Sequence, residues 1–315
     1  MFQKAKIGVA LGAGGARGLA HIGVLKAMER AGIRISFLSG SSIGAIIGGL
    51  YAYYLSAAEL EGVIPKIMDT ELFRKAGLPL IRKAFHDRPE TLSERLETFI
   101  KKTYVQALIA TRSAILDTDT FKAMIEYIVP EVNIEDLPLP FCAVSTDLKT
   151  GRPVLFRRGP LREAIYASAA IPGMVSPLKL NNLLLADGGV LNMVPVLPLF
   201  QMGADFVCGV VVEMEKIVEE EGDYKKAIDI LFRTEDIQSY TLFESQIRAA
   251  HLVLRPKLGH IHWSDFSRAT EMIQIGQDEV SQHLDEIFSL ARRRVSPLKR
   301  KKRPQPELTF DWIEI

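Results

Sequence analysis

A Gly-x-Ser-x-Gly sequence, Gly40-Ser41-Ser42-Ile43-Gly44, separates an apolar strand-like run at 33–38 from a helix-like run at 43–55. That placement restricts the fold, because the chain must turn sharply from a strand into a helix there. Such a turn lifts Ser42 Oγ out at the end of a sheet, the arrangement of a nucleophile elbow. A serine hydroxyl is a weak nucleophile, so a sharp turn beside an activating group is what such chemistry needs. Gly40 and Gly44 carry no side chain, so chain and substrate can approach closely. The plainer reading of the same residues is a Gly/Ser loop that caps a buried helix.

A second junction of this kind lies upstream. Residues 7–11 read as a short buried strand that runs into Gly12-Ala13-Gly14-Gly15-Ala16-Arg17-Gly18. An apolar helix follows through Leu19, Ile22, Val24, Leu25 and Met28. Glycines at a strand-to-helix junction leave backbone N–H groups open at the positive end of a helix. The anion held there is either a nucleotide phosphate or the oxyanion of acyl transfer. A dinucleotide site wants an acid at the end of the second strand. Here that strand ends in Leu38-Ser39-Gly40-Ser41-Ser42, without a carboxylate. The strict Gly-x-Gly-x-x-Gly spacing fails at Arg17, and no Gly-Lys-Ser/Thr is present. The oxyanion reading is favoured, with Arg17 supporting the loop.

The third element is Leu183-Leu184-Leu185-Ala186-Asp187-Gly188-Gly189, an apolar strand that delivers a carboxylate into a glycine turn. Asp-Gly is often only a turn signal. Asp187 is otherwise a general base for Ser42, or the acid that orients a histidine in a triad. Asn192, just beyond, is placed to brace the turn.

Together these blocks resemble the bacterial patatin-like phospholipases, serine acyl hydrolases with a Ser–Asp dyad. Ala167-Ser168-Ala169-Ala170-Ile171-Pro172-Gly173 and Gly203-Ala204-Asp205 agree with the same family, and the matches run in order from about residue 5 to 213. The resemblance implies Ser42 as nucleophile, Asp187 as base and the Gly14/Gly15 backbone as oxyanion hole. Gly12, Arg17, Gly18, Gly40, Gly44, Gly188 and Gly189 would support them. Ala13 and Ser41 depart from the family's frequent glycine and threonine. The family also implies a three-layer α/β architecture, with no metal and no cofactor. Its substrate would be a lipid or other carboxylic ester, phospholipid or lysophospholipid.

Two alternatives stand beside that expectation. A small-ester esterase with a Ser-His-Asp triad would draw its histidine from Leu258-Gly259-His260-Ile261-His262-Trp263, late enough in the chain to follow the acid. A nucleotide- or anion-binding module would have no turnover. His21, in the first helix, reads as a packed or capping histidine.

The 315 residues are 48% apolar and 24% charged, with a net charge of +1. That is enough for a large core and excludes wholesale disorder. The start, Met1-Phe2-Gln3-Lys4-Ala5-Lys6, enters a strand without the apolar stretch of a secretory signal. The apolar run at 43–55 is shorter than the roughly 20 residues a spanning helix needs. Cys142 and Cys208 lie in apolar strand-like segments and form no disulfide framework, which fits a reducing, cytoplasmic location, peripheral to the inner face of the membrane.

Along the chain, 1–290 reads as one acyl hydrolase domain with an open, mostly parallel sheet flanked by helices. Within it, 57–135 breaks the β-α rhythm as a helical insertion that covers the site or serves as scaffold. Its faces are Leu92, Leu96, Phe99 and Ile100, then Phe121, Met124, Ile125 and Ile128. Strands are expected at 141–145 and 154–156 as a hairpin turning at Lys149-Thr150-Gly151, then at 206–212 and around Val253-Leu254. The tail, 291–315, reads as disordered. Eight Lys and Arg fall between Arg292 and Arg303, a charge run that solubilises or draws the chain to an anionic membrane. No aromatic interleaving supports nucleic acid as a partner.

Overall fold

The computed structural model describes residues 3–68, 70–71, 114, 116–212, 227–295 and 313–315. Its centre is a sheet in which β2 (Ile7–Leu11), β3 (Ile35–Ser41), β8 (Phe206–Val210) and β9 (Leu252–Leu254) run parallel. β4 (Phe141–Asp147) is parallel to β3 and antiparallel to β5 (Arg152–Phe156). The path is β11-β5-β4-β3-β2-β8-β9, where β11 is Ile313–Glu314.

Alternation of side chains along the strands divides two cores. Ile7, Val9 and Leu11 of β2 and Phe206, Cys208 and Val210 of β8 join one cluster. That cluster includes α1 (Ala20–Arg30), α2 (Ile43–Tyr54) and α3 (Ala57–Met68). Ala10, Phe37 and Val207 point the other way, into a cluster with α6 (Val196–Gln201) and α7 (Ala227–Ile247). Period-two alternation with both faces buried gives three layers, helix, sheet and helix. The expected α/β class is therefore what the chain forms.

Three differences from the sequence reading matter. β3 begins and ends later than 33–38 and takes in Ser39, Gly40 and Ser41, because β2 and β4 pair with it on both sides. β7 (Leu183–Asp187), expected only as a strand that delivers Asp187, runs antiparallel to β4 and to β6 (Leu178–Leu180). The tail's two ends are also placed. Arg294–Val295 (β10) pairs with Gln3–Lys4 (β1), and Ile313–Glu314 pairs with β5 in parallel. The basic stretch between them, 296–312, lies outside the described residues, as do 72–113 of the expected insertion and the acidic 215–221.

The described end of the expected insertion packs against the body of the protein. In α4 (Thr118–Ile128), Met124 and Ile125 are buried and Phe121 and Ile128 pack against the main core. α5 (Leu161–Ser168) follows the β4–β5 hairpin, whose turn closes through Gly151 N–H on Asp147 O at 2.8 Å. α8 (Ala269–Gln282) crosses α1 closely enough that a Cβ on Gly23 would strike the Ile273 carbonyl, and one on Gly276 the Ala20 carbonyl. α9 (Leu284–Arg292) is the last helix among the described residues. No described helix is long and apolar enough to cross a membrane.

Candidate active site

One edge of β4 assembles the site. β3 pairs with β4 up to Ser41 opposite Val144, and β7 takes over at the next residue, with Asp187 opposite Ser145. The two strands run in opposite directions and meet end to end. Ser42, the residue after Ser41, is thereby delivered beside Asp187 although 145 positions separate them in sequence.

The turn at Ser42 is an elbow. Its φ of 55° and ψ of −125° lie outside the strand and helix regions, a conformation that costs about 1–3 kcal/mol for a residue with a side chain. The tightness of the turn explains its glycines. A Cβ on Gly40 would run into the Gly44 carbonyl, and one on Gly44 into the Leu11 carbonyl. The flanking hydroxyls are anchored: Ser39 Oγ donates to Pro195 O and Ser41 Oγ to Asn192 O, each at 2.6 Å. Asn192 thus braces the turn with its carbonyl. α2 starts at Ile43, so its positive end faces the Ser42 side chain.

Asp187 is 5% exposed. Its Oδ1 accepts the Gly189 N–H at 2.6 Å, and its Oδ2 makes no hydrogen bond among the described residues. Burial pushes the carboxyl up to about 6, while the Ser42 side chain and the Gly189 N–H act in the opposite direction. The Ser42 hydroxyl therefore acts on the carboxyl without a fully formed hydrogen bond, as apo catalytic pairs often do. Gly188 is required by contact, since a Cβ there would strike the Val144 carbonyl.

The glycine loop lies alongside. Gly12 N–H is taken by Val210 O, Ala13 N–H by Met193 O and Ala16 N–H by Trp263 O, at 3.1, 2.9 and 2.6 Å. Among the described residues no hydrogen bond takes up the N–H of Gly14 or Gly15. Ala13, the departure from glycine, therefore replaces no open donor. Gly15 has φ 57°, with the Trp263 carbonyl where a Cβ would stand. Gly18 packs on Ile43 of the elbow helix. Gly189 packs beside Ala13, tying the loop to the Asp187 turn. Arg17 is buried and donates from Nε to Ile261 O at 2.7 Å, so it clamps the 258–265 segment behind the loop.

The histidines take other positions. His260 Nε2 pairs with Glu271 at 2.9 Å and His262 Nδ1 with Ser264 Oγ at 2.8 Å. Among the described residues no imidazole is a hydrogen-bond partner of Ser42 or Asp187. His21 is fully buried, and its Nε2 donates to the Gly12 carbonyl at 2.8 Å. Burial lowers its pKa to about 4, against the opposing Gly12 bond, so at neutral pH it is an uncharged brace of the loop.

One contact escapes sequence reasoning. Ser42 N–H donates to both Ser168 O and Ser168 Oγ, at 3.1 and 3.0 Å. The nearest sequence signal is the block around Ser168, which carries no recognisable chemistry by itself.

The fold and site define an α/β protein whose strand-to-helix elbow sets a serine against a buried, unpaired carboxylate oxygen beside open glycine N–H groups. The chain belongs to the patatin-like phospholipase family, whose description matches residues 9–200, more than half of its length. It is similar to an uncharacterised NTE family protein of Mycobacterium bovis, 36% identical over 207 residues, 65% of this chain and 48% of that one. The patatin-like phospholipase domain-containing protein 6 of Homo sapiens is 28% identical over 295 residues, 86% of this chain and 20% of that one. The lysophospholipase NTE1 of Cryptococcus neoformans is 33% identical over 198 residues, 63% of this chain and 10% of that one. The chain thus spans about half the length of the mycobacterial relative and a smaller share of the others. Among solved structures, VipD from Legionella pneumophila aligns with a TM-score of 0.49 at 15% identity, over 90% of this chain and 67% of that one.

Proposed function

We propose that this chain is a serine acyl hydrolase that cleaves carboxylic esters of lipids, phospholipid or lysophospholipid. The observation that carries the reading is the Ser42 elbow set against the free oxygen of buried Asp187. Ser42 Oγ attacks the ester carbonyl carbon as its proton passes to Asp187 Oδ2. The negative charge that develops on the carbonyl oxygen meets the open N–H groups of Gly14 and Gly15. Loss of one such donor typically raises the barrier by about 2.7–4 kcal/mol. Collapse expels the alcohol, which takes the proton from Asp187, and leaves an acyl-Ser42 ester. Water then gives its proton to Asp187 and attacks the acyl carbon, and Ser42 recovers its proton as it leaves.

The family and the lysophospholipase relative support a lipid ester as substrate class. A cytoplasmic location is in keeping with the free, buried thiols Cys142 and Cys208. The basic stretch of 296–312 adds attraction to an anionic membrane, about 1 kcal/mol per basic residue at the surface.

Two measurements test the proposal. Hydrolysis of an acyl ester series from acetyl to palmitoyl, with lysophospholipid and phospholipid in parallel, is expected for the wild type and absent for Ser42→Ala. Equal turnover in both proteins refutes Ser42 as nucleophile. The second is the pH profile of kcat/KM. Asp187 is a base only when ionised, so activity is expected to rise with pH through about 6 and then level off. A rising limb centred near 4, where an ordinary aspartate titrates, removes buried Asp187 from the role.

A further inference from the structure

The Ser168 hydroxyl lies where the two halves of the site are joined. Ser168 is fully buried at the last turn of α5. Its Oγ donates to Val144 O at 2.6 Å, which spends the hydroxyl proton and turns the oxygen lone pairs toward Ser42. Ser42 N–H is shared between that oxygen and the Ser168 carbonyl. Two residues on, the Ala170 carbonyl accepts the N–H of Asp187 at 2.9 Å. Ser145 Oγ reaches Ala186 O at 2.6 Å and Ala167 O at 3.3 Å from the same strand position that faces Asp187. The end of α5 and the residues just past it therefore hold the backbone of the serine and of the aspartate with carbonyls two positions apart. Helix ends leave such carbonyls without partners of their own, and here both partners come from the reacting residues.

We infer that Ser168 is a positioning residue that holds Ser42 in its elbow conformation and in register with Asp187. The inference rests on the Ser42–Asp187 reading above. Ser42 occupies a backbone region that a free chain avoids, so something must hold it there. Glycines 40 and 44 allow the turn by leaving space, but they exert no pull. The three-centre bond to Ser168 is the polar interaction that fixes the Ser42 amide. It also removes that N–H from the set of oxyanion donors. Deleting the hydroxyl leaves the Ser42 amide with the Ser168 carbonyl as its one acceptor there, removes the Ser168 donor from the Val144 carbonyl, and loosens the elbow. A displacement near 1 Å at a reacting atom lowers rate on the order of 100-fold.

The test is the rate constant for covalent labelling of Ser42 by a fluorophosphonate, measured per folded enzyme across pH. Ser168→Ala is expected to slow labelling by about 10- to 100-fold, with ester KM little changed. Its pH limb is expected to move above the wild-type value. Only burial, the Ser42 side chain and the Gly189 N–H set the Asp187 pKa, with no charged side chain among them, and loosening Ser42 removes a lowering influence. A residue that merely stabilises the fold would lower the unfolding midpoint and leave both readouts in place. Ser168→Thr keeps the oxygen and is expected to restore labelling. Where Ser168→Ala is not recovered folded, Ser168→Cys has nearly the same volume and a weak acceptor, and the same slowing is expected of it. Labelling at the wild-type rate with an unmoved limb, in either variant, overturns the inference while the dyad stands. Continued labelling of Ser42→Ala would instead overturn the dyad itself.

Discussion

Asp187→Asn is expected to lower turnover by about four orders of magnitude and, above pH 6, to make the protein more stable. The first effect follows from the loss of the proposed base beside Ser42, and comparable losses accompany an Asp→Asn change in a serine triad. The second follows from linkage. The carboxyl titrates near 6 in the folded chain, above its ordinary value of 3.8. Between those values the folded state binds more protons than the unfolded one, so stability falls as pH rises across the window. Above 6 the wild type bears the whole penalty of a buried carboxylate, about 3 kcal/mol at 1.36 kcal/mol per unit. Asparagine is uncharged, and its side-chain oxygen can still accept the Gly189 N–H. Urea unfolding of both proteins at pH 4 and pH 8 checks the sign. The variant should gain about 2–3 kcal/mol at pH 8 and close to nothing at pH 4. A variant less stable at pH 8 would mean that the carboxylate is solvated or paired in solution.

Gly40→Ala carries a large expected structural effect at the elbow itself. The added methyl would meet the Gly44 carbonyl, backbone on a helix that cannot step aside without breaking the elbow. Overpacking against side chains usually costs about 1–3 kcal/mol, and this contact with backbone belongs at or beyond that upper end. Gly62, in α3, is the control, because no described atom beyond its chain neighbours and its own helix backbone lies within 4 Å of its would-be Cβ. Gly62→Ala is expected to stabilise by up to about 1 kcal/mol through helix propensity. Denaturant midpoints of the two variants should move in opposite directions. If Gly40→Ala unfolds with the wild type, the elbow is looser than its contacts indicate.

Local chemistry made much of this legible. The serine motif at a strand–helix junction, the glycine loop and the Asp-Gly-Gly turn are short segments whose residue types state what the backbone must do. Each forms the expected turn. Arg17 and His21 also take supporting places, through bonds to Ile261 O and Gly12 O. The end of β3 was harder to read, because Ser39-Gly40-Ser41 has weak strand propensity of its own. Pairing on both sides and carbonyl acceptors at Pro195 and Asn192 hold it extended. The direction of β7 is likewise invisible along the chain, since an apolar run looks the same whichever way its neighbour points. Ser168 is the clearest case. Its partners lie 126 and 24 positions away, at Ser42 and Val144, and only the closed fold brings them to it.

The end-to-end meeting of β3 and β7 has a consequence for how the chain comes to life. The strand that carries Ser42 and the strand that carries Asp187 do not pair with each other; β4 is the one strand to which both are registered. A slip of two residues by either strand would open the gap by about 7 Å. On the proposed Ser42–Asp187 reading, hydrolytic competence would be a property of the finished sheet, and a fragment that lacks β4 would carry both residues yet be inert toward an ester. Recovery of activity after denaturation would then serve as a clock for the last long-range strand pairing.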